Sequence, residues 1–200
     1  VVHSLLSQSG GVVGLNFGAF RFSQKIGSFI ANNQRDNLGL YALERYVAGK
    51  HTVTVGLRHD YKNYNANGFT SDDGAATPGG GETSTSFSAS EKTFNNTSLS
   101  LGTSSKINQN WSFGFSFSHT ERAPTHDELF VYGEHHATET IEHGDRELKS
   151  ERSNTVDATL NWIGQGNTFS LTPYLTDFSS YITLLDTGVV QYHDHDGEEE

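Results

Sequence analysis

Histidine and carboxylate side chains crowd into two stretches of this chain. In the first, Glu134, His135, His136, Glu139, Glu142 and His143 fall close together, with His126-Asp127 just upstream. Imidazole and carboxylate are ligands that Zn²⁺ accepts, and three or four of them can enclose the ion. The His135–His143 spacing is not that of a zinc finger or a metalloprotease helix. Two readings stand: a metal contact through His135, His136, Glu142 and His143, or a hydrophilic loop whose histidines are merely exposed. The second stretch is His193-Asp194-His195-Asp196, which runs into Gly197 and Glu198 to Glu200. Residues two apart in an extended segment point the same way. His193 and His195 can therefore converge on one ion, with Asp194 and Asp196 adding charge. Tracts of this kind bind metals weakly and unselectively, Cu²⁺ and Ni²⁺ included. The tract reads as a metal-gathering lure or as the charged end of a loop.

Other chemistry is not specified. No Gly-x-Ser-x-Gly element appears. The glycines Gly79 to Gly81 lack the Lys-Ser/Thr of a phosphate-binding loop. The reading is therefore that the chain is not an enzyme. A formal net charge of -11 argues against a nucleic-acid partner, because phosphate binding needs basic patches. Cysteine is absent, which is compatible with passage through an oxidising compartment.

The elements that must position these residues are strands. Mean hydropathy is -0.54 and no apolar run is long enough for a transmembrane helix. A transmembrane strand needs only about 9–11 residues with every second one apolar, and period-two alternation dominates the chain. Trp111, Phe113, Phe115 and Phe117 share one face, and Ser112, Gly114, Ser116 and Ser118 the other. Val53, Val55 and Leu57 form a similar row, as do Val156, Ala158, Leu160 and Trp162. Eight strands are expected: Val1–Ser7, Val12–Phe22, Asn37–Val47, Thr52–Asn65, Thr93–Ser105, Trp111–Glu121, Ser153–Ile163 and Thr168–Leu184. Short connections (Gln8–Gly11, Ala48–His51, Lys106–Asn110, Gly164–Asn167) alternate with long ones (Ser23–Asp36, Ala66–Lys92, Arg122–Arg152 and the tail from Leu185). That alternation is the habit of outer-membrane barrels, which have tight periplasmic turns and long external loops. The fold class expected is all-β: about eight strands of a larger antiparallel transmembrane β-barrel. Tyr46, Trp111 and Trp162 read as interfacial girdle residues. His3, His51, His59 and His119 read as structural or solvated, toward the lumen or near an interface. The Gly- and Ser-rich stretch inside Ala66–Lys92 reads as a mobile loop.

The stretch from Glu121 to Trp162 resembles the TonB-dependent receptors of Gram-negative outer membranes. The residues carrying the likeness are Arg122-Ala123-Pro124, the pair Glu128-Leu129, and Gly144-Asp145, Leu148, Glu151 and Ser153. Asp145 stands where Asn is commoner. "GLRHDY" (Gly56–Tyr61) and "SSYITL" (Ser179–Leu184) resemble further strand segments of that family. Within it, "YGEHHATETIEHG" and "YHDHDGEEE" look like the zinc-uptake receptors. The resemblance implies a chain in the bacterial outer membrane, in contact with lipid, importing a ligand with energy delivered through the partner TonB. It also implies a plug domain and a TonB-contacting segment toward the N-terminus. Neither is visible in residues 1–200, nor are the final strands, so the chain is expected to be one part of such a barrel. A plugged transporter of this type has about 22 strands, more than eight can close.

Three functions follow. The first is active uptake of a metal ion, Zn²⁺ above all. The second is the same barrel importing haem, whose iron histidines also ligate, or a siderophore complex. The third is a structural or adhesive β protein with no transport role.

Overall fold

The structure, a computed structural model, describes residues 2–3, 9–23, 32–71, 85–135 and 140–188. Its strands are β1 (Val2–His3), β2 (Ser9–Phe22), β3 (Asn33–Ala48), β4 (His51–Ala66), β5 (Phe69–Ser71), β6 (Thr85–Phe87), β7 (Ser90–Lys106) and β8 (Trp111–Arg122). A short helix, α1 (His126–Phe130), follows. After it come β9 (Tyr132–His135), β10 (Thr140–His143), β11 (Glu151–Gly164), β12 (Asn167–Leu171) and β13 (Tyr174–Ser180).

One antiparallel sheet runs in the order β1-β2-β3-β4-β7-β8-β11, with β12 and β13 both pairing β11 along the last edge. Each long strand pairs the one before it, so the sheet is a meander. Its tight turns are built as hairpin geometry requires. Gly49 has φ 59°, and Gln165 and Gly166 have φ 51° and 76°, the positive values of a two-residue primed turn.

The pairing fixes which residues share a face. Phe117 stands opposite both Leu101 and Val156, Phe115 opposite Ala158, and Phe113 opposite Leu160. Val55 stands opposite Leu101, and Leu57 opposite Ala42 and Leu99. These residues form one apolar face, much of it exposed. The other face carries Thr52, Thr54, Arg58, Asp60, Lys62, Ser98, Ser100, Ser116, Ser118 and Asp157. There the Ser116 hydroxyl donates to the Asp157 carboxylate. A sheet with an apolar exposed face and a polar opposite face is what a barrel wall between lipid and a polar lumen needs.

The apolar row does not follow the ladder. Leu40 shares a rung with His59 and Thr97, whereas Phe115 shares one with Thr103, Val53 and Tyr46. The row thus drifts by roughly one to two residues per strand. At about 3.4 Å per residue and about 4.8 Å between strands, that drift corresponds to strands tilted by roughly 45°, the tilt of a transmembrane barrel. At the turn end of the apolar face the Trp111 and Trp162 rings meet at 6.4 Å, beside Asn110 and the Gln165-Gly166 turn, as girdle residues should.

Several expected boundaries move. Ser9 to Gly11 belong to β2, paired with Tyr46, Arg45 and Glu44. Asn33 to Asp36 belong to β3, because they continue its pairing with β2 and β4. The last expected strand is split at Thr172-Pro173. Proline has no N–H to give the ladder, and the Pro173 carbonyl accepts from Ala158 N at 3.2 Å. Strand pairing ends at Ser180, short of Leu184. A small ladder, β5 with β6, lies inside the stretch expected to be a mobile loop; residues 72–84 of that loop fall outside the described residues.

Candidate functional site

The segment between β8 and β11 folds down onto the polar face at the loop end of the sheet. Its first part is α1. Thr125 caps the helix: its side chain accepts from Glu128 N, while the Glu128 carboxylate accepts from Thr125 N at 2.7 Å. This reciprocal capping box satisfies two donors that a short helix would otherwise leave open. Leu129 and Phe130 point into the only buried hydrophobic cluster among the described residues, with Tyr64, Ala66, Phe94 and Ala123, and Leu148 packs against it. Tyr64 meets Phe94 edge-on at 6.0 Å.

Polar ties fix the same segment. Arg122, the last residue of β8, bonds both Glu128 (2.9 Å) and Glu151 (3.2 Å). Glu151 in turn accepts from Ile182 N at 3.1 Å. Tyr64 Oη donates to the Pro124 carbonyl at 2.7 Å. Asn96 Nδ2 donates to Ser150 Oγ at 2.6 Å, and Lys92 pairs with Glu147 at 3.0 Å. Gly144 N donates to Val131 O at 2.7 Å and Asp145 N to Glu128 O at 2.9 Å. A Cβ on Gly144 would meet the Leu129 carbonyl carbon and the Phe130 nitrogen at 2.7 Å. No side chain larger than hydrogen fits so close to backbone. Asp145 Oδ1 accepts from Glu147 N at 2.7 Å. That role asks only for a side-chain oxygen, which Asn supplies as well as Asp.

The residues that carried the family resemblance are therefore the parts of one platform. Arg122, Pro124, Glu128, Leu129, Gly144, Asp145, Leu148 and Glu151 anchor the loop to the wall. Burial pushes the Glu128 carboxyl up, but the Arg122 guanidinium and the Thr125 N–H outweigh it and hold Glu128 below the usual carboxylate range.

The β9–β10 hairpin rises from this platform and carries part of the predicted metal set. His135 pairs Thr140, Glu142 pairs Gly133 and His143 pairs Tyr132. His135 and His143 are thus three ladder positions apart, about 10 Å along the strand. The His143 ring lies 4.4 Å from that of Tyr132 and is exposed. His136 and Glu139 fall outside the described residues, as do His193, Asp194, His195 and Asp196. Among the described residues no three His, Asp or Glu side chains gather as a metal site.

His126, expected to flank that set, is instead turned toward the platform. Its ring packs on Phe130 at 5.2 Å, and its Nε2 is buried with no hydrogen-bond partner among the described residues. Burial lowers its pKa, against a smaller upward pull from Asp127. The histidines of the strands have ladder partners. His51 bonds Ser105 at 2.7 Å, His59 bonds Thr97 at 2.9 Å and His119 bonds Asn154 at 2.8 Å. All three lie at the margins of the apolar face rather than on the polar one. The helix and the platform were missed in the sequence reading. Thr125-x-x-Glu128 was the available signal for the helix.

Residues 6–194 match the family described as TonB dependent receptor-like, beta-barrel. Solved structures of similar fold include the hemophore receptor HasR of Serratia marcescens, in complex with its hemophore HasA and heme. It is 17% identical with TM-score 0.68, over 90% of this chain and 32% of that one. The copper transporter OprC is 13% identical with TM-score 0.66, over 88% of this chain and 29% of that one. The ferric-catecholate import receptor Fiu of E. coli K12 is 15% identical with TM-score 0.57, over 92% of this chain and 29% of that one. The chain spans about a third of the length of these receptors.

Proposed function

Since the chain belongs to the TonB-dependent receptor β-barrel family, whose barrels stand in the outer membrane of Gram-negative bacteria, we propose that it walls an active-transport receptor for a metal cargo. The cargo is Zn²⁺ or a metal complex such as haem. External loops capture it, and the rest of the receptor passes it inward with energy supplied through TonB. Support comes from one relationship: the hairpin carrying His135, Glu142 and His143 is tied by its base to the polar face of the wall. Capture there delivers cargo to the lumen side rather than to the lipid side. Family members transport rather than catalyse, which favours transport over a structural or adhesive role. The receptors of similar fold, one in complex with its hemophore and heme, one a copper transporter and one a ferric-catecholate import receptor, agree with a metal-bearing cargo.

Zn²⁺ coordination needs deprotonated ligands, so the ion competes with protons for the set His135, His136, Glu142 and His143. Calorimetric Zn²⁺ titration of the full receptor tests this, with His135, His136 and His143 changed together to Ala, and separately His193 and His195. Parent-like binding and import in the first variant removes the hairpin from the capture site. Parent-like behaviour in both removes zinc as the cargo.

A further inference from the structure

We propose that Asn67 modifies itself. Its side chain closes onto the nitrogen of Gly68, loses ammonia, and reopens with water to aspartate and isoaspartate. The reaction goes beyond the metal-uptake reading and does not depend on it.

Asn67-Gly68 is the one Asn-Gly step in the chain. It follows directly on β4, whose last residue, Ala66, is fully buried and pairs with Asn33 on one side and Ser90 on the other. Asn67 stands just past that ladder. Its N–H donates to the Asn32 carbonyl at 2.9 Å, which holds the residue from its N-terminal side. Asn67 and Gly68 are both exposed. Among the described residues, neither the Asn67 side-chain amide nor the Gly68 N–H has a hydrogen-bond partner.

Ring closure requires the Gly68 nitrogen to swing toward Asn67 Cγ. Glycine has no Cβ to hinder that approach. Hydroxide removes the proton of the Gly68 nitrogen, which attacks Cγ. The N–Cγ bond forms, the Cγ–Nδ2 bond breaks, and ammonia leaves with a proton taken from water. The product is a five-membered imide. Water then adds at one of its two carbonyls. Addition at Cγ gives aspartate, and addition at the backbone carbonyl carbon gives isoaspartate, with the chain running through Cβ. One water is consumed and one ammonia released, with no oxidant or reductant.

The structure sets Asn67 apart from other asparagines near it. Asn65 lies within β4, between two paired strands that fix its backbone and use its amides. Asn96 is 2% exposed and donates to Ser150. Asn63 is engaged by Glu91 and Thr93, and Asn110 by the Ile163 carbonyl. Conversion of Asn67 adds a carboxylate at the loop end of the wall. Isoaspartate also lengthens the backbone by one carbon between β4 and β5.

The experiment is ageing of the full receptor, in detergent and heavy-oxygen water, at neutral and mildly alkaline pH. Acid digestion and fragment mass spectrometry then locate the label in the parent, in G68A and in a synthetic peptide of residues 63–71. Asn67 should take up heavy oxygen before the other asparagines named above, faster at alkaline pH, with isoaspartate among the products. G68A, whose added carbon crowds the attacking nitrogen, should slow the uptake about tenfold. The pH comparison in the parent stands even if G68A fails to fold. An unlabelled Asn67 in the receptor overturns the inference, and a reacting peptide then assigns the protection to the fold. Labelling of G68A at the parental rate also overturns it, as does aspartate formed without isoaspartate, which marks direct hydrolysis.

Discussion

Tyr64 on β4 and Pro124 just beyond β8 lie 60 residues apart in sequence, yet the tyrosine hydroxyl donates to the proline carbonyl at 2.7 Å. The bond crosses over β7 and ties the start of the loop to a strand that is not its neighbour. Tyr64→Phe keeps the ring packing and leaves a buried carbonyl without its donor. The expected cost is about 1–3 kcal/mol. Urea unfolding of the full receptor in detergent should show it, together with faster tryptic cleavage after Arg146 or Lys149. Unchanged stability and cleavage would mean that the bond holds nothing in place.

The platform should loosen in two acid steps. His126 is held neutral by burial, with its pKa below the ordinary 6.5. Asp127 beside it and Arg35 on β3 are the charged groups acting on it, with opposite signs. In the unfolded chain it gains a proton more readily. Its stability contribution is therefore complete above about 6.5 and declines as pH falls below that value toward the folded pKa. Glu128 is the opposite kind of group, a carboxyl held below its ordinary 4.5. The stability it adds is present above that value and is lost as pH falls through the folded pKa. His126→Phe should remove the upper step and spare the lower one. Protease protection of the loop as a function of pH checks both, and an unaltered upper step in His126→Phe would assign it elsewhere.

Gly144→Ala should be more harmful than its size suggests. The added carbon meets backbone at 2.7 Å, and backbone cannot swing aside as a side-chain tip can. A cost of about 1–3 kcal/mol is expected from overpacking. The loss should appear as loop cleavage while the strand ladder, read by circular dichroism, persists. A parent-like cleavage rate would show that the loop shifts freely.

Phe115→Arg should destabilise the barrel by about 2–4 kcal/mol if the residue lies near the bilayer midplane. Ser116→Arg faces the polar side and should cost much less. Cysteine-linked fluorophores at the two positions, quenched by a lipid-soluble agent, provide an independent measure. Equal quenching at both would reverse the assignment of faces.

What the sequence revealed depended on periodicity. Phe113, Phe115 and Phe117 announce a pleat because the pleat repeats every two residues, and the wall strands were readable for that reason. Strand ends were not: Asn33 to Asp36 are polar on both faces, and only pairing with β2 and β4 makes them strand. The platform was visible as a likeness and opaque as geometry. Arg122, Glu128 and Glu151 are distant in sequence, and nothing local says that one guanidinium holds both carboxylates. His126 was grouped beside the metal set because sequence places histidines near one another without showing which are packed on a phenylalanine.

The slant of the apolar row has a mechanical meaning. Rungs of the ladder run oblique to the pore, so a tension along the pore axis resolves into comparable components along and across each strand. The component along the strands loads the hydrogen bonds between β3, β4 and β7 together in shear rather than one after another at a peeling edge. A wall so inclined distributes an axial load over whole strands.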